Sequence, residues 1–278
     1  MPELPEVEYG RKQAENALVG KRVTKVVCDN DDIVFHGDKP KEVASHLKGQ
    51  RIEAAHRRGK YMWLEVPKGP YPMFHFGMTG RFHVWGQNAI ELETGPKVDP
   101  EQWPPRFCKI EIVMEDDTRL AMTNARRLGR IRLLPDPLKE GPIAKLGFDP
   151  LLSMPPLKEF ENLVSVRKTT LKGLLLNQAF AAGVGNWIAD EVLYQAGLAP
   201  TRRANALLPS EVKSLHKSLG AIVRKAVSVD ADKKRFPKSW LFHHRWGQVE
   251  GATTSKGESI EYIKVAGRTT AWVPSVQS

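Results

Sequence analysis

The hydrophobic period of the chain shifts from strand-like to helical and back, and that pattern limits the fold more than any single motif. Up to residue 134 apolar and polar residues alternate in short runs. Residues 23–28, 33–36, 61–66, 73–76, 81–85, 108–114, 118–122 and 131–134 read as strands, preceded by one helix over 5–19. Past residue 156 apolar residues recur at helical spacing, and 157–166, 170–178, 186–195 and 210–227 read as helices. Between them proline and glycine recur, which suits a linker. The end returns to β character, with 260–265 and 269–273 flanking Ala266-Gly267-Arg268 as a hairpin. The expected architecture is α+β. A two-layer β-sandwich led by a helix occupies 1–134, a linker 135–155, a helical domain 156–239 and a hairpin 240–278. Residues 86–105 are polar and patternless, as a long surface loop would be.

Charge narrows the partner. A net charge of +10 and a pI near 9.6 point to a polyanion. Nucleic acid fits better than a membrane, because the chain shows neither an apolar span nor a basic amphipathic anchor. No signal or transit pattern opens the sequence. Its two cysteines, Cys28 and Cys108, are too few for a disulfide framework or a cysteine zinc site, and a reducing intracellular compartment is expected.

The opening Met1-Pro2-Glu3-Leu4-Pro5-Glu6 carries the sharpest chemistry. Loss of Met1 would leave Pro2 as a secondary amine at the front of a helix. An α-amino group titrates near ~8, so part of it is unprotonated at neutral pH. Attack on an aldehyde carbon gives an iminium ion that is cationic without a further proton, at once nucleophile and electron sink. Glu3 and Glu6 lie three residues apart, so both carboxylates can face the amine. On their own these six residues read first as a capped helix start with solvated acids.

Five further stretches combine ordinary and functional readings. Gly183-Val184-Gly185-Asn186 is a glycine turn into a helix, or a phosphate site with Asn186 as N-cap; Arg202-Arg203 lies after the next turn. Lys60, in Arg57-Arg58-Gly59-Lys60-Tyr61, is a solvated strand opener, or a catalytic-site residue near the amine that holds a phosphate or depresses the amine's pKa by like-charge repulsion. His75-Phe76-Gly77-Met78-Thr79-Gly80 reads as a tight turn presenting Met78, a residue more often used as core filler. Asn124-Ala125-Arg126-Arg127-Leu128-Gly129-Arg130 is a solvated charge run, or a loop whose Leu128 is a wedge for a base stack. Arg268, at the hairpin turn, is an exposed turn residue or a fork for a phosphate.

Taken in order, these motifs resemble the formamidopyrimidine-DNA glycosylase / endonuclease VIII family of base-excision repair enzymes, from Pro2-Glu3-Leu4-Pro5-Glu6 to Gly267-Arg268-Thr269-Thr270. Leu4 places the opening in the formamidopyrimidine branch. The resemblance implies a helix–two-turn–helix domain after the sandwich, with DNA in the cleft between. It implies Pro2 as the nucleophile at the sugar C1′, Glu3 as the proton-transfer acid and Glu6 as a supporting acid. Lys60, His75, Asn186 and Arg268 match residues that grip phosphates. Met78, Arg126 and Leu128 match the trio that fills the space of the flipped base. No metal or organic cofactor is implied. The partner is double-stranded DNA with oxidised bases or abasic sites, bound by a monomer in a nucleus or nucleoid.

Three departures bear on substrate. No cysteine follows Cys108, so the end is similar to the zincless finger of plant and fungal members, and His243-His244 lacks cysteine partners at ligand spacing. Leu128 stands where bacterial members usually have phenylalanine. Residues 228–239 are brief where bacterial members have a loop over everted 8-oxoguanine. The implied activity is excision of formamidopyrimidines and hydantoins, weak on 8-oxoguanine, with β,δ-elimination at abasic sites. The alternatives are an endonuclease VIII-like glycosylase for oxidised pyrimidines and a non-catalytic binder of damaged DNA.

Overall fold

The structure, a computed structural model, describes residues 2–87, 90–93, 95–97, 99 and 101–278. Residues 1–145 and 146–278 form two compact units, described separately below.

The first unit opens with helix α1 (Leu4–Leu18), which Pro5 suits at its first turn and whose buried face includes Leu4, Val7, Ala14 and Leu18. Eight antiparallel strands follow in two sheets. One has the order β1 (Val23–Cys28), β6 (Cys108–Met114), β7 (Arg119–Thr123), β5 (Arg81–Val84). The other runs β2 (Ala54–Arg58), β3 (Tyr61–Glu65), β4 (Tyr71–His75), β8 (Arg130–Leu134). Their inner residues share one core. Met62, Phe74 and Ile131 from one sheet pack with Phe82, Ile112 and Met122 from the other, and the Phe74 and Phe82 rings meet edge-on at 5.4 Å. This is the expected sandwich. Helix α1 lies across β2, β3, β5 and β7, close enough at Gly10 that a Cβ there would come within 2.8 Å of the Phe76 ring.

Three elements differ from the sequence reading. Residues 33–36 form turns instead of a strand, because Asp31 accepts the amides of Ile33 (3.1 Å) and Val34 (3.2 Å) and winds the chain. Helix α2 (Pro40–Leu47) and strand β2 had no distinct signal. The expected loop over 86–105 includes residues 88, 89, 94, 98 and 100, which lie outside those described; Arg81 donates to the carbonyls of Ile90 and Pro96 within it.

The second unit contains α3 (Leu157–Ser165), α4 (Leu171–Leu176), α5 (Asn186–Ala196) and α6 (Pro209–Ser228), then the hairpin β9 (Glu261–Val265) and β10 (Arg268–Trp272). Residues 146–155 pack into it: Phe148 meets the rings of Phe160 and Phe180 at 6.0 and 5.1 Å, and Asp149 is buried. The hairpin turn is Ala266-Gly267, both in the left-handed region, which leaves Arg268 paired with Val265 as the first residue of β10 instead of in the turn.

Candidate nucleic-acid interface and active site

Pro2 and Glu3 are buried just ahead of α1, with Glu3 at the N-cap position. The Glu6 carboxylate accepts the Glu3 backbone N–H at 2.9 Å, so a first-turn acid closes over the start of its own helix. Burial pushes the Glu6 carboxyl up to about 7, and the nearby Glu3 charge adds to the effect. A carboxyl titrating at that value can hold or release a proton at neutral pH. Met1, whose removal the sequence reading invokes, lies outside the described residues.

Helix and sheet are tied together by charge. Glu8 on α1 accepts Arg57 Nε of β2 at 2.7 Å and Arg11 Nε at 2.9 Å. The same Arg57 donates to the Gly59 carbonyl at 3.0 Å. Gly59 and Lys60 form the two-residue turn between β2 and β3, with Gly59 in the left-handed region. Lys60 is thereby held relative to the helix that follows Pro2 and Glu3 and carries Glu6.

His75 ends β4, in register with Tyr61 on one side and Arg130 on the other. Its ring packs on Tyr61 at 4.7 Å. Burial pulls the imidazole down to about 4, helped by the charges of Lys60 and Arg130. It is neutral at pH 7, and Nδ1 accepts the Gly77 amide at 3.3 Å, which leaves Nε2–H as a donor. Lys60, His75 and Arg130 thus sit at one end of three neighbouring strands, donors suited to an anion.

The wedge candidates are brought together. Met78 lies in the turn after β4 and Leu128, 46% exposed, in the loop before β8. Buried Asn124 joins the two loops, donating to Phe76 O at 2.8 Å and accepting Gly129 N–H at 3.1 Å. A Cβ on Gly77 would sit 2.4 Å from the Leu128 carbonyl carbon, and one on Gly129 2.8 Å from the His75 carbonyl. Arg126 is exposed beside Leu128, whereas Arg127 turns back and grips Asp31 through Nε (2.9 Å) and Nη2 (3.0 Å). Asp31 also takes Lys109 Nζ at 2.8 Å. Although burial opposes its charge, Arg127 and Lys109 hold its carboxyl well below the usual carboxylate range.

In the second unit the N-cap of α5 is Gly185, and Asn186 is its first residue. The expected capping role is therefore not what this side chain does. It donates to Thr269 O of β10 at 2.9 Å, beside the exposed Arg268. Asn186 is thus bonded to the residue that follows Arg268, 83 positions away in sequence. Arg202 is bound to Glu211. Within residues 228–239 the Phe236 ring packs on Trp187 at 5.6 Å, and Trp240, just beyond, lies 6.4 Å from the same ring. Among the described residues no group of three or more His, Cys, Asp or Glu is arranged to hold a metal ion. Nor is any helix there long and apolar enough to cross a membrane.

Residues 1–131 match the model of the formamidopyrimidine-DNA glycosylase N-terminal domain, and residues 146–238 that of its H2TH domain. The chain belongs to the formamidopyrimidine-DNA glycosylase family. It is a DNA glycosylase of the base-excision type, as the motifs implied. The formamidopyrimidine-DNA glycosylase of Arabidopsis thaliana is 39% identical across all of this chain and 71% of the plant protein. That of Syntrophomonas wolfei is 30% identical over the full length of both. The Lactococcus lactis enzyme, solved non-covalently bound to DNA containing an AP site, shares the fold with a TM-score of 0.79 at 26% identity over 99% of each chain. A MutM structure with carbocyclic 8-oxo-G DNA gives 0.79 at 26% over 100% of each. The anchors Glu8, Arg57, Asn124 and Asp31 escaped the sequence reading; a run of charged residues inside strand β2 was the one signal for any of them.

Proposed function

We propose that this protein is a bifunctional DNA glycosylase and abasic-site lyase for oxidised or ring-opened purines, with Pro2 as nucleophile. Once Met1 is removed, the Pro2 nitrogen attacks C1′ and the damaged base leaves with its bonding pair, protonated as it departs. The nitrogen then gives up its proton and its lone pair opens the sugar ring, O4′ leaving C1′ with the bonding pair and taking a proton from Glu3. The open-chain iminium so formed acidifies the 2′ hydrogen. Loss of that proton expels the 3′ phosphate, and a second elimination expels the 5′ phosphate. Lys60, His75, Asn186 and Arg268 bind phosphates, and Met78, Arg126 and Leu128 occupy the stack vacated by the everted nucleotide.

The observation that carries this reading is the pairing of Pro2 with two acids at the start of α1, one of them titrating at about 7. A purely structural helix start would be better served by ionised, exposed acids; a buried acid poised near neutral suits proton transfer. The brevity of residues 228–239, where bacterial members of the family have a loop over everted 8-oxoguanine, supports weak excision of 8-oxoguanine relative to formamidopyrimidines and hydantoins. Duplex DNA with such lesions is the partner, bound by a monomer, in the nucleus if the cell is eukaryotic.

Borohydride trapping tests the mechanism. Incubation with abasic duplex and borohydride should yield a covalent protein–DNA species, which Pro2→Gly should form poorly. Binding without any trapping by the wild type would contradict the lyase reading.

A further inference from the structure

Helix α5 and strand β10 are joined by a ladder of side chains. Asn186 and Asp190 are four residues apart and share one helix face. Asn186 donates to Thr269 O at 2.9 Å, and Asp190 Oδ2 accepts Ala271 N–H at 3.2 Å. Thr269 and Ala271 are alternate residues of β10. Four helical residues rise about 6.0 Å, close to the roughly 6.8 Å of two strand residues, and the edge of β10 away from β9 is satisfied by two α5 side chains. Only one register of the hairpin meets both ties.

Asp190 is itself held. It is 1% exposed and takes Arg245 Nε at 3.0 Å on Oδ2, with Arg245 Nη2 on the same oxygen. Lys172 of α4 pairs with Oδ1 and also donates to Asn186 O at 3.0 Å. A carboxylate clamped between a guanidinium and an ammonium has no rotamer freedom, so it presents Oδ2 to Ala271 at a set place.

We infer that Asp190, fixed by Arg245 and Lys172, is a positioning residue for DNA binding: it sets the place of Arg268, three residues before Ala271 on β10, relative to Asn186. Asp190 touches no DNA in this account; it acts through the hairpin. The inference rests on the proposal that Arg268 binds a phosphate.

The test is a double-mutant cycle on the full chain, with a duplex carrying a tetrahydrofuran abasic analogue as probe. In the wild-type background Arg268→Ala should weaken binding about tenfold or more, the loss of one charge-assisted contact. In the Arg245→Met or Asp190→Asn background the same change should cost less than about threefold, since Arg268 is already displaced. Amide exchange across residues 261–272 should also accelerate in Arg245→Met, and Arg245→Lys should restore part of the protection. That second readout uses no DNA, so a failure of the phosphate reading (no effect of Arg268→Ala anywhere) is distinguished from a failure of positioning. Equal, non-zero losses from Arg268→Ala in all backgrounds, or unchanged exchange in Arg245→Met, would overturn the inference. So would a failure of every Arg245 variant to fold, which would make the cluster a stability element alone.

Discussion

Arg57 of β2 and Glu8 of α1 form a buried ion pair at 2.7 Å, their side chains 0% and 9% exposed. The pair fixes the helix that follows Pro2 and Glu3 and carries Glu6 against the strand that ends at the Lys60 turn. Because Arg57 also holds the Gly59 carbonyl, one guanidinium links the proposed nucleophile's helix to a proposed phosphate contact. Arg57→Met should leave Glu8 with Arg11 alone and cost up to about 3–5 kcal/mol, read by denaturant unfolding. Trapping of abasic DNA should fall along with it. A variant as stable as the wild type would remove this pair from the account.

The Asp31–Arg127 contact predicts how the wedge loop is aimed. Arg127→Ala should weaken binding of abasic duplex about tenfold by releasing Arg126 and Leu128, which flank it. The melting temperature should change little, because Arg127 is half exposed. An unchanged affinity would show that the loop holds its shape without the clamp.

Asp31 also predicts a dependence on pH. Its folded-state pKa is depressed, so the stability it contributes is present above the unfolded value near ~4 and is lost as pH falls below it. Asp31→Asn should therefore be less stable than the wild type at pH 7, with the difference shrinking toward pH 2. A constant gap across that range would contradict the assignment.

Gly77 has no room for a side chain: its φ is +61° and a Cβ would strike the Leu128 backbone at 2.4 Å. Gly77→Ala should separate the Met78 turn from the Leu128 loop, at a cost of about 1–3 kcal/mol. Excision from duplex should fall more than lyase activity on a pre-formed abasic site in single-stranded DNA, where no stack needs filling. Equal losses on both would argue against the wedge.

The two-layer sandwich and the terminal hairpin were legible because period-two alternation and an Ala-Gly turn are local signals. The run at 33–36 misled because its β-branched residues carry strand propensity, yet Asp31 captures two of its amides before a partner strand can. Strand β2 was hidden by Arg57, a charged residue at an inward position that makes sense only with Glu8, 49 residues earlier. Among the site candidates, Pro2, Glu3 and Arg268 stood out because their chemistry is distinct within a short motif. Asn124, Asp31 and Asp190 did not, since each acts through partners 48 to 96 positions away. Such anchors are set by tertiary pairing, which no local pattern records.

The Glu6 carboxyl, at about 7, should govern the pH profile of the lyase reaction. Below that value it is protonated and its own negative charge beside the Pro2 amine is lost; above it, the carboxylate favours the protonated, non-nucleophilic amine. Glu6→Gln should remove the inflection near pH 7 from the rate profile of abasic-site cleavage. Persistence of that inflection in the variant would assign it to another group.

The central claim is that the Pro2 nitrogen bonds to the sugar carbon. Peptide mapping by mass spectrometry of the borohydride-trapped complex tests it most directly. The account predicts a mature chain beginning at Pro2, with the reduced deoxyribose on the N-terminal peptide. A sugar adduct on Lys60 or another lysine, with the N-terminal peptide unmodified, would contradict it.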